Sequence, residues 1–290
     1  MLPLYDILKA ANVKFHSYAD DTQFYIETNI NTLDNAKQES ENILHLLKNW
    51  LDSHKLKMNS GKTEIILLGS DKIIELEFDN VKLKSKHTVR NLGVMIDNKL
   101  TFNEQVNQIC SDCYISLRNI SKKRNCMDSK SCKIIVNALV LSKLNFCCTL
   151  LLGLPTKQIK KLQKIQNYAA KVIAHASKFD HVSPILNSLK WLNIENIITF
   201  RYCTIVYKCL NNAAPLYLSN LLQNYVPPCH LRSSNLNLLA IPDHSTAIGR
   251  RSFSYIGPKL WNDIPFPITE KSTLPTFKKH LKQYLLNTHM

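Results

Sequence analysis

Apolar residues change their spacing at Thr101. Beyond it they recur every three or four positions over four long segments, roughly 103 to 122, 129 to 147, 156 to 176 and 194 to 211. That is the period of a helix burying one stripe of its surface. Polar runs, Pro155 and Pro184 interrupt the segments. Glycine is scarce, at 6 of 290 residues, which puts barrels and collagen-like folds at a disadvantage.

Before Thr101 the runs are short and alternate. Val13, Phe15 and Tyr18 lead into Asp20-Asp21, and Phe24, Tyr25 and Ile26 lead out, the pattern of strand, turn and strand. From Thr32 to about His54, Leu33, Ala36, Ile43, Leu44, Leu47, Trp50 and Leu51 keep helical spacing, with Asn31 or Thr32 as N-cap. Glu64 to Leu68 reads as a short strand ended by Gly69, Glu75 to Phe78 and Val81 to Leu83 flank an Asp79-Asn80 turn, and Val89 to Ile96 is a further strand. The fold class expected is α+β. Residues 1–101 make a small antiparallel sheet with helices, 102–212 are helical, and 213–290 form a loop-rich tail closed by a helix from about Leu274 to Leu286. The second boundary is marked by Pro215, Pro227 and Pro228, and Gly249, Gly257, Pro258, Pro265 and Pro267 punctuate the tail.

Charge divides at the same place. The first hundred residues hold 13 Lys and Arg against 14 Asp and Glu, a net of −1, so the other 190 carry +16 of the chain's +15. A surplus of this kind attracts a polyanion, since each neutralised phosphate releases counterions. A solvated basic surface accounts for it equally simply. Lys122, Lys123 and Arg124 form one cluster, and Lys157, Lys160, Lys161, Lys164 and Lys171 fall on one face of a helix.

Nine cysteines, an odd number, and a start without a basic or apolar leader favour an intracellular, soluble, thiol-reduced protein. The apolar stretch from Ile134 to Leu154 is broken by Asn137, Lys143 and Asn145, and is read as a buried helix and loop, with no membrane association. Cys110-x-x-Cys113 with Cys126 and Cys132 has poor zinc spacing. Cys147-Cys148, Cys203 and Cys209 read as small buried hydrophobes, and Cys229-His230 lacks nearby partners. Trp50, Trp191 and Trp261 read as core.

Two adjacent carboxylates, Asp20 and Asp21, sit at the tip of an apolar hairpin. Oxygen donors of this kind suit Mg²⁺ and two-metal phosphoryl transfer, though Asp-rich turns also arise from turn geometry alone. The surrounding run Phe15-His16-Ser17-Tyr18-Ala19-Asp20-Asp21-Thr22-Gln23-Phe24-Tyr25 resembles the palm motif of non-LTR (LINE-type) retrotransposon reverse transcriptases. Leu56-Lys57-Met58-Asn59 with Lys62-Thr63-Glu64 resembles the motif that follows, and Val89-Arg90-Asn91-Leu92-Gly93-Val94 resembles the primer-grip hairpin. Leu152-Gly153-Leu154-Pro155, Leu162 to Ala170 and Leu189-Lys190-Trp191-Leu192 resemble segments after the thumb. Leu231-Arg232-Ser233-Ser234, Arg251-Ser252-Phe253-Ser254, Pro258 to Asn262 and Phe277 to Leu281 resemble the C-terminal tail of such proteins.

The resemblance implies a partial polymerase palm over 1–101, a thumb and its extension over 102–212, and the tail beyond. It implies Asp20 and Asp21 as catalytic Mg²⁺ ligands, Lys62 near the phosphates of a deoxynucleoside triphosphate, and Leu92 and Gly93 at the primer. The basic helices would track an RNA template and DNA primer. Lys62 equally fits an exposed position after a turn, and Leu92-Gly93 equally fits a strand with a Gly bulge.

The match is partial. The family's first catalytic Asp lies well upstream of the pair, behind fingers that hold the nucleotide, and only 19 residues precede Asp20 here. Asp6, the one acid among them, corresponds to a palm helix. The expectation is a polymerase fragment inactive on its own. A non-catalytic nucleic-acid-binding protein and a remnant without function are the competing readings.

Overall fold

The computed structural model describes residues 2–79, 81–227, 238–271 and 273–288. Cys229-His230, the Leu231 to Ser234 segment and the Asn80 half of the expected turn lie outside them. The protein is mixed α/β, with helices predominating and, among the described residues, three two-stranded antiparallel sheets. It divides into two compact units, Met1–Thr101 and Phe102–Met290.

The first unit runs α1 (Leu2–Ala10), β1 (Lys14–Tyr18), β2 (Asp21–Tyr25), α2 (Leu33–Ser53), β3 (Glu75–Phe78), β4 (Val81–Lys84), β5 (Thr88–Asn91) and β6 (Val94–Asp97). Helix α2 separates two cores. Ile43 and Leu47 pack with Leu4, Leu8 and Val13, while Leu44 packs with Leu76, Phe78 and Leu83. Phe24 of β2 touches both cores and so fixes the first hairpin against the helix.

The expected single sheet is three separate hairpins, β1-β2, β3-β4 and β5-β6. Outside the ladders, backbone groups find isolated partners on side chains. The Ile74 N–H donates to Ser85 Oγ at 2.9 Å and the Glu77 N–H to Glu41 Oε1 at 2.7 Å. The strand expected over Glu64 to Leu68 does not form. Ile65 accepts one bond from the Lys86 N–H, the Gly69 N–H donates one to Asn98, both at 2.8 Å, and no ladder joins the two.

The second unit contains α3 (Asn103–Lys122), α4 (Ser129–Val136), α5 (Ser142–Asn145), α6 (Thr156–Ala174), α7 (Ser183–Leu189), α8 (Ile194–Leu210), α9 (Leu216–Ser219), α10 (Phe253–Asn262), α11 (Phe266–Thr269) and α12 (Leu274–Asn287). Caps set several starts: Asp128 accepts from the Ser131 and Lys130 N–H groups, Asn193 from Asn196, and Thr273 from Thr276. The segment read as one helix from 129 to 147 is interrupted by a π-helical turn, Asn137–Leu141, between α4 and α5. Among the described residues no helix is long and apolar enough to cross a membrane.

Helices α3 and α6 pack along each other and run the same way. Asn103 meets Gln158, Asn107 meets Lys161 and Tyr114 meets Tyr168, so both sequences advance together. A further core joins Cys203, Val206 and Tyr207 of α8 to Trp261, Phe277 and Leu281 from α10 and α12. Gly257 and Pro258, expected in a loop, lie inside α10. A side chain at Gly257 would sit 3.3 Å from Val206 Cγ2, so glycine lets α10 close onto α8.

Phe277 is fully buried and stacks on Tyr207 at 4.4 Å between ring centroids. Phe277→Ala should destabilise the second unit by ~3–5 kcal/mol, the usual range for an aromatic deleted from a core. Urea unfolding followed by tryptophan fluorescence will measure it, because Trp261 packs on the same ring at 5.8 Å.

Candidate functional site

The first hairpin turns at Ala19-Asp20. Strand register pairs Tyr18 with Asp21, Ser17 with Thr22, His16 with Gln23 and Phe15 with Phe24. Ala19 carries the positive φ of the turn, 54°. Period-two alternation then sorts the side chains. Phe15, Ser17, Thr22 and Phe24 share the half-buried face, where Ser17 Oγ and Thr22 Oγ1 are hydrogen-bonded at 3.0 Å. His16, Tyr18, Asp21, Gln23 and Tyr25 share the other face. Asp20 and Asp21 are both exposed.

Gln23, two positions from Asp21 on the same face, ties the hairpin to its neighbour. Its Nε2 donates to Asn91 Oδ1 at 2.8 Å, and Asn91 Nδ2 donates back to Gln23 Oε1 at 2.9 Å. Asn91 is the last residue of β5, and Leu92 and Gly93 follow as the two-residue turn into β6, with φ of 45° and 85°. Two positive φ values make this a hairpin turn, not the bulged strand considered from sequence. The reciprocal amide pair thus places the Asp21-bearing face beside the Leu92-Gly93 turn. Sequence reading passed over Gln23 and Asn91. The available signal was a polar Gln in an apolar strand, on the same face as the acid.

Other candidates stand apart from the pair. Lys62 ends a short 3₁₀ turn, Ser60–Lys62, is exposed, and has no hydrogen bond or ion pair to Asp20 or Asp21. Asp6 pairs with Lys9 at 3.9 Å on α1. Glu27 pairs with Lys14 at 2.5 Å, and that lysine holds its carboxyl below the usual carboxylate range. Lys14 lies four residues along β1 from Tyr18, about 13 Å at strand rise, at the end of the hairpin away from the aspartates. Among the described residues, no group of three or more His, Cys, Asp and Glu side chains is placed to hold a metal ion. The carboxylate pair supplies the hard oxygen donors that Mg²⁺ takes, but it does not make up a two-metal centre.

In the second unit, Lys157, Lys160 and Lys164 are exposed along α6, opposite its buried stripe of Ile159, Leu162, Ile165, Gln166, Ala169 and Ile173. Lys161 Nζ donates to Asn107 Oδ1 at 2.9 Å and Lys171 Nζ to the Lys178 carbonyl at 2.6 Å. Both ammonium groups sit on the same face yet are already engaged. Lys122 and Lys123 are exposed at the end of α3.

Arg124 does not belong to that face. It is 7% exposed, and its guanidinium donates to the Val172 and Ile173 carbonyls at 2.8 and 3.0 Å, to Met127 O at 2.5 Å and to Ser129 Oγ at 2.9 Å. The two α6 carbonyls belong to its last turn, where intrahelical donors run out and the dipole is negative. A planar fork of N–H donors suits four acceptors that an ammonium could not reach together. Arg124 therefore caps α6, with its donors turned into the protein and away from the exposed lysine face.

Among the described residues no cysteine belongs to a group placed to hold a metal ion, and the eight described cysteines are free thiols. Burial pushes Cys113 and Cys148 up to about 11 and Cys203 up to about 12, so these are thiols at neutral pH. Cys147 departs from the expectation of burial. Its left-handed φ of 47° turns it outward at the start of a 3₁₀ turn while Cys148 stays inside. Trp261 is core, Trp50 packs at the edge of the first core, and Trp191 is half-buried.

No protein-family model, curated protein or solved structure matches this chain.

Arg124→Met removes four charge-assisted bonds and leaves the Ile173 carbonyl without its guanidinium donor, while Val172 keeps the His175 N–H, and should cost ~2–4 kcal/mol. Lys122→Ala, at an exposed position, should stay within ~0.5 kcal/mol. Chemical denaturation of both variants will check the contrast, and equal losses would contradict the cap.

Proposed function

We propose that this chain is part of an RNA-directed DNA polymerase of the non-LTR retrotransposon type, retaining nucleic-acid binding but unable to polymerise alone. The observation that carries the reading is the Gln23–Asn91 amide pair. It ties the hairpin presenting Asp20 and Asp21 to the hairpin turning at Leu92-Gly93, the two parts that sequence resemblance assigns to catalysis and to the primer. A polymerase needs that adjacency, because the primer 3′-hydroxyl has to lie beside the catalytic carboxylates, and phosphoryl transfer draws its rate from positioning and electrostatics.

The division of labour follows from the residues. Asp20 and Asp21 would be the ligands of Mg²⁺, which when bound neutralises charge on the transferring phosphoryl group. Two carboxylates hold such an ion weakly, and no third joins them among the described residues. Lys62 contributes a positive charge on the same unit without touching the pair. The exposed lysines of α3 and α6 would contact phosphates of template and primer, which positions a strand without reading its sequence. The same lysines favour the second reading, a binding protein without catalysis.

Primer extension on an RNA template separates the two. The wild-type chain should add no nucleotides with Mg²⁺ or Mn²⁺. Extension that Asp20→Ala, Asp21→Ala abolishes would show that a further carboxylate completes the site and that the chain is a polymerase unaided.

Binding should persist in that double variant and should weaken steeply with salt. Five exposed lysines (122, 123, 157, 160 and 164) set a slope of about −4 to −5 in log K against log salt for duplex. Fluorescence anisotropy across a salt series measures it. Salt-insensitive binding, or none at low salt, would remove the support for both readings.

A further inference from the structure

The second unit has a cleft of about 530 Å³ that the functional reading does not use. It is lined by Asn137, Ser142, Asn145, Phe146, Cys147 and Arg201. We propose that this cleft binds a single-stranded nucleic acid, taking one unstacked base against Phe146 and its phosphate on Arg201. The proposal rests on the chain being a nucleic-acid-binding protein, and adds a site separate from the lysine face of α6.

Two backbone irregularities converge on the cleft. At the π-turn the Ser142 N–H donates five residues back to the Asn137 carbonyl, and Ser142 Oγ donates to the Ala138 carbonyl. Turns of this kind inside helices occur frequently at functional sites, because the wider turn re-aims side chains that a regular helix would hold elsewhere. Ten residues on, Cys147 holds φ at 47°, a conformation unfavourable for a side-chain-bearing residue. It follows Phe146, whose extended backbone (ψ 122°) has already ended α5 and which is 49% exposed.

The side chains specify the ligand class. Arg201 is exposed on α8 and has no ion-pair partner among the described residues, so its five N–H donors face no carboxylate. Asn137 and Asn145 each offer a donor and an acceptor, which is what the edge of a base presents, and Ser142 adds a hydroxyl. An exposed aromatic face, amides and a lone guanidinium are the elements used to hold a splayed nucleotide. A duplex base has neither its face nor its pairing edge free, so the cleft discriminates against double strands.

The test uses the full chain and an octauridylate carrying one 4-thiouridine. Ultraviolet crosslinking followed by peptide mapping should place the adduct between Asn137 and Cys147. Phe146→Leu should weaken octauridylate binding about fivefold or more while leaving the salt slope unchanged, because stacking does not release counterions. Arg201→Gln should reduce the magnitude of the slope by about 0.7, the contribution of one single-strand phosphate. Neither change should alter binding of a DNA duplex. Crosslinks confined to α6, or unchanged octauridylate affinity in both variants, would overturn the cleft while leaving the lysine face in place. Absence of binding to either nucleic acid would overturn both. Circular dichroism melting keeps the outcome readable, since both altered residues are exposed and should leave the midpoint unmoved.

Discussion

A two-stranded hairpin is marginal in water, and the first unit is built from three that share no backbone ladder. Its geometry therefore depends on side chains bridging what strand pairing leaves open. Phe24 does this by burial, reaching both cores that flank α2. Gln23 does it by hydrogen bonding, and the amide pair with Asn91 satisfies two side chains at once in a half-buried setting. Neighbouring positions on one strand, facing opposite ways, thus fix one hairpin to the helix and to the β5-β6 hairpin. Asp21 follows the orientation of both.

The second unit solves its packing with buried polar groups at helix ends. Gln166, 1% exposed, donates to the Leu192 carbonyl at 2.8 Å, and Asn196 donates to the Leu285 carbonyl at 2.7 Å. With Arg124 on the last turn of α6, these three donate from side chains to backbone carbonyls of other segments. They also fix which segment meets which. Gln166 holds the approach to α8 against α6, and Asn196 holds the last helix against α8. Apolar burial alone would allow each pair to slide.

Periodicity made most of the elements legible in the sequence. The helices from 103 to 122 and from 156 onward, the hairpin at Asp20 and the change at Thr101 all rest on spacing that reports burial directly. What was not legible depended on contacts distant in sequence. Glu64 to Leu68 has the composition of a strand but only isolated partners, which composition does not reveal. Gly257-Pro258 reads as a turn, yet the need for close approach to Val206 puts it in a helix. Arg124 sits in a run of three basic residues that look alike. Its burial is decided by the end of α6, 48 residues away. Gln23 and Asn91 are 68 residues apart, and nothing local marks either as a partner.

Because α3 and α6 advance in the same direction, their carboxyl ends come together, and the negative poles of two helix dipoles add instead of cancelling. Arg124 lies between those ends, and Lys122 and Lys123 close α3 beside it. Part of this cluster's positive charge is therefore matched internally by backbone carbonyls. The field projected into solvent there is weaker than the formal charges suggest. At the other end of α6, Lys157 lies in the first turn, where the positive pole of its own helix adds to its charge. Along α6 the basic side chains thus stand in the changing potential of one helix, not on a uniform surface.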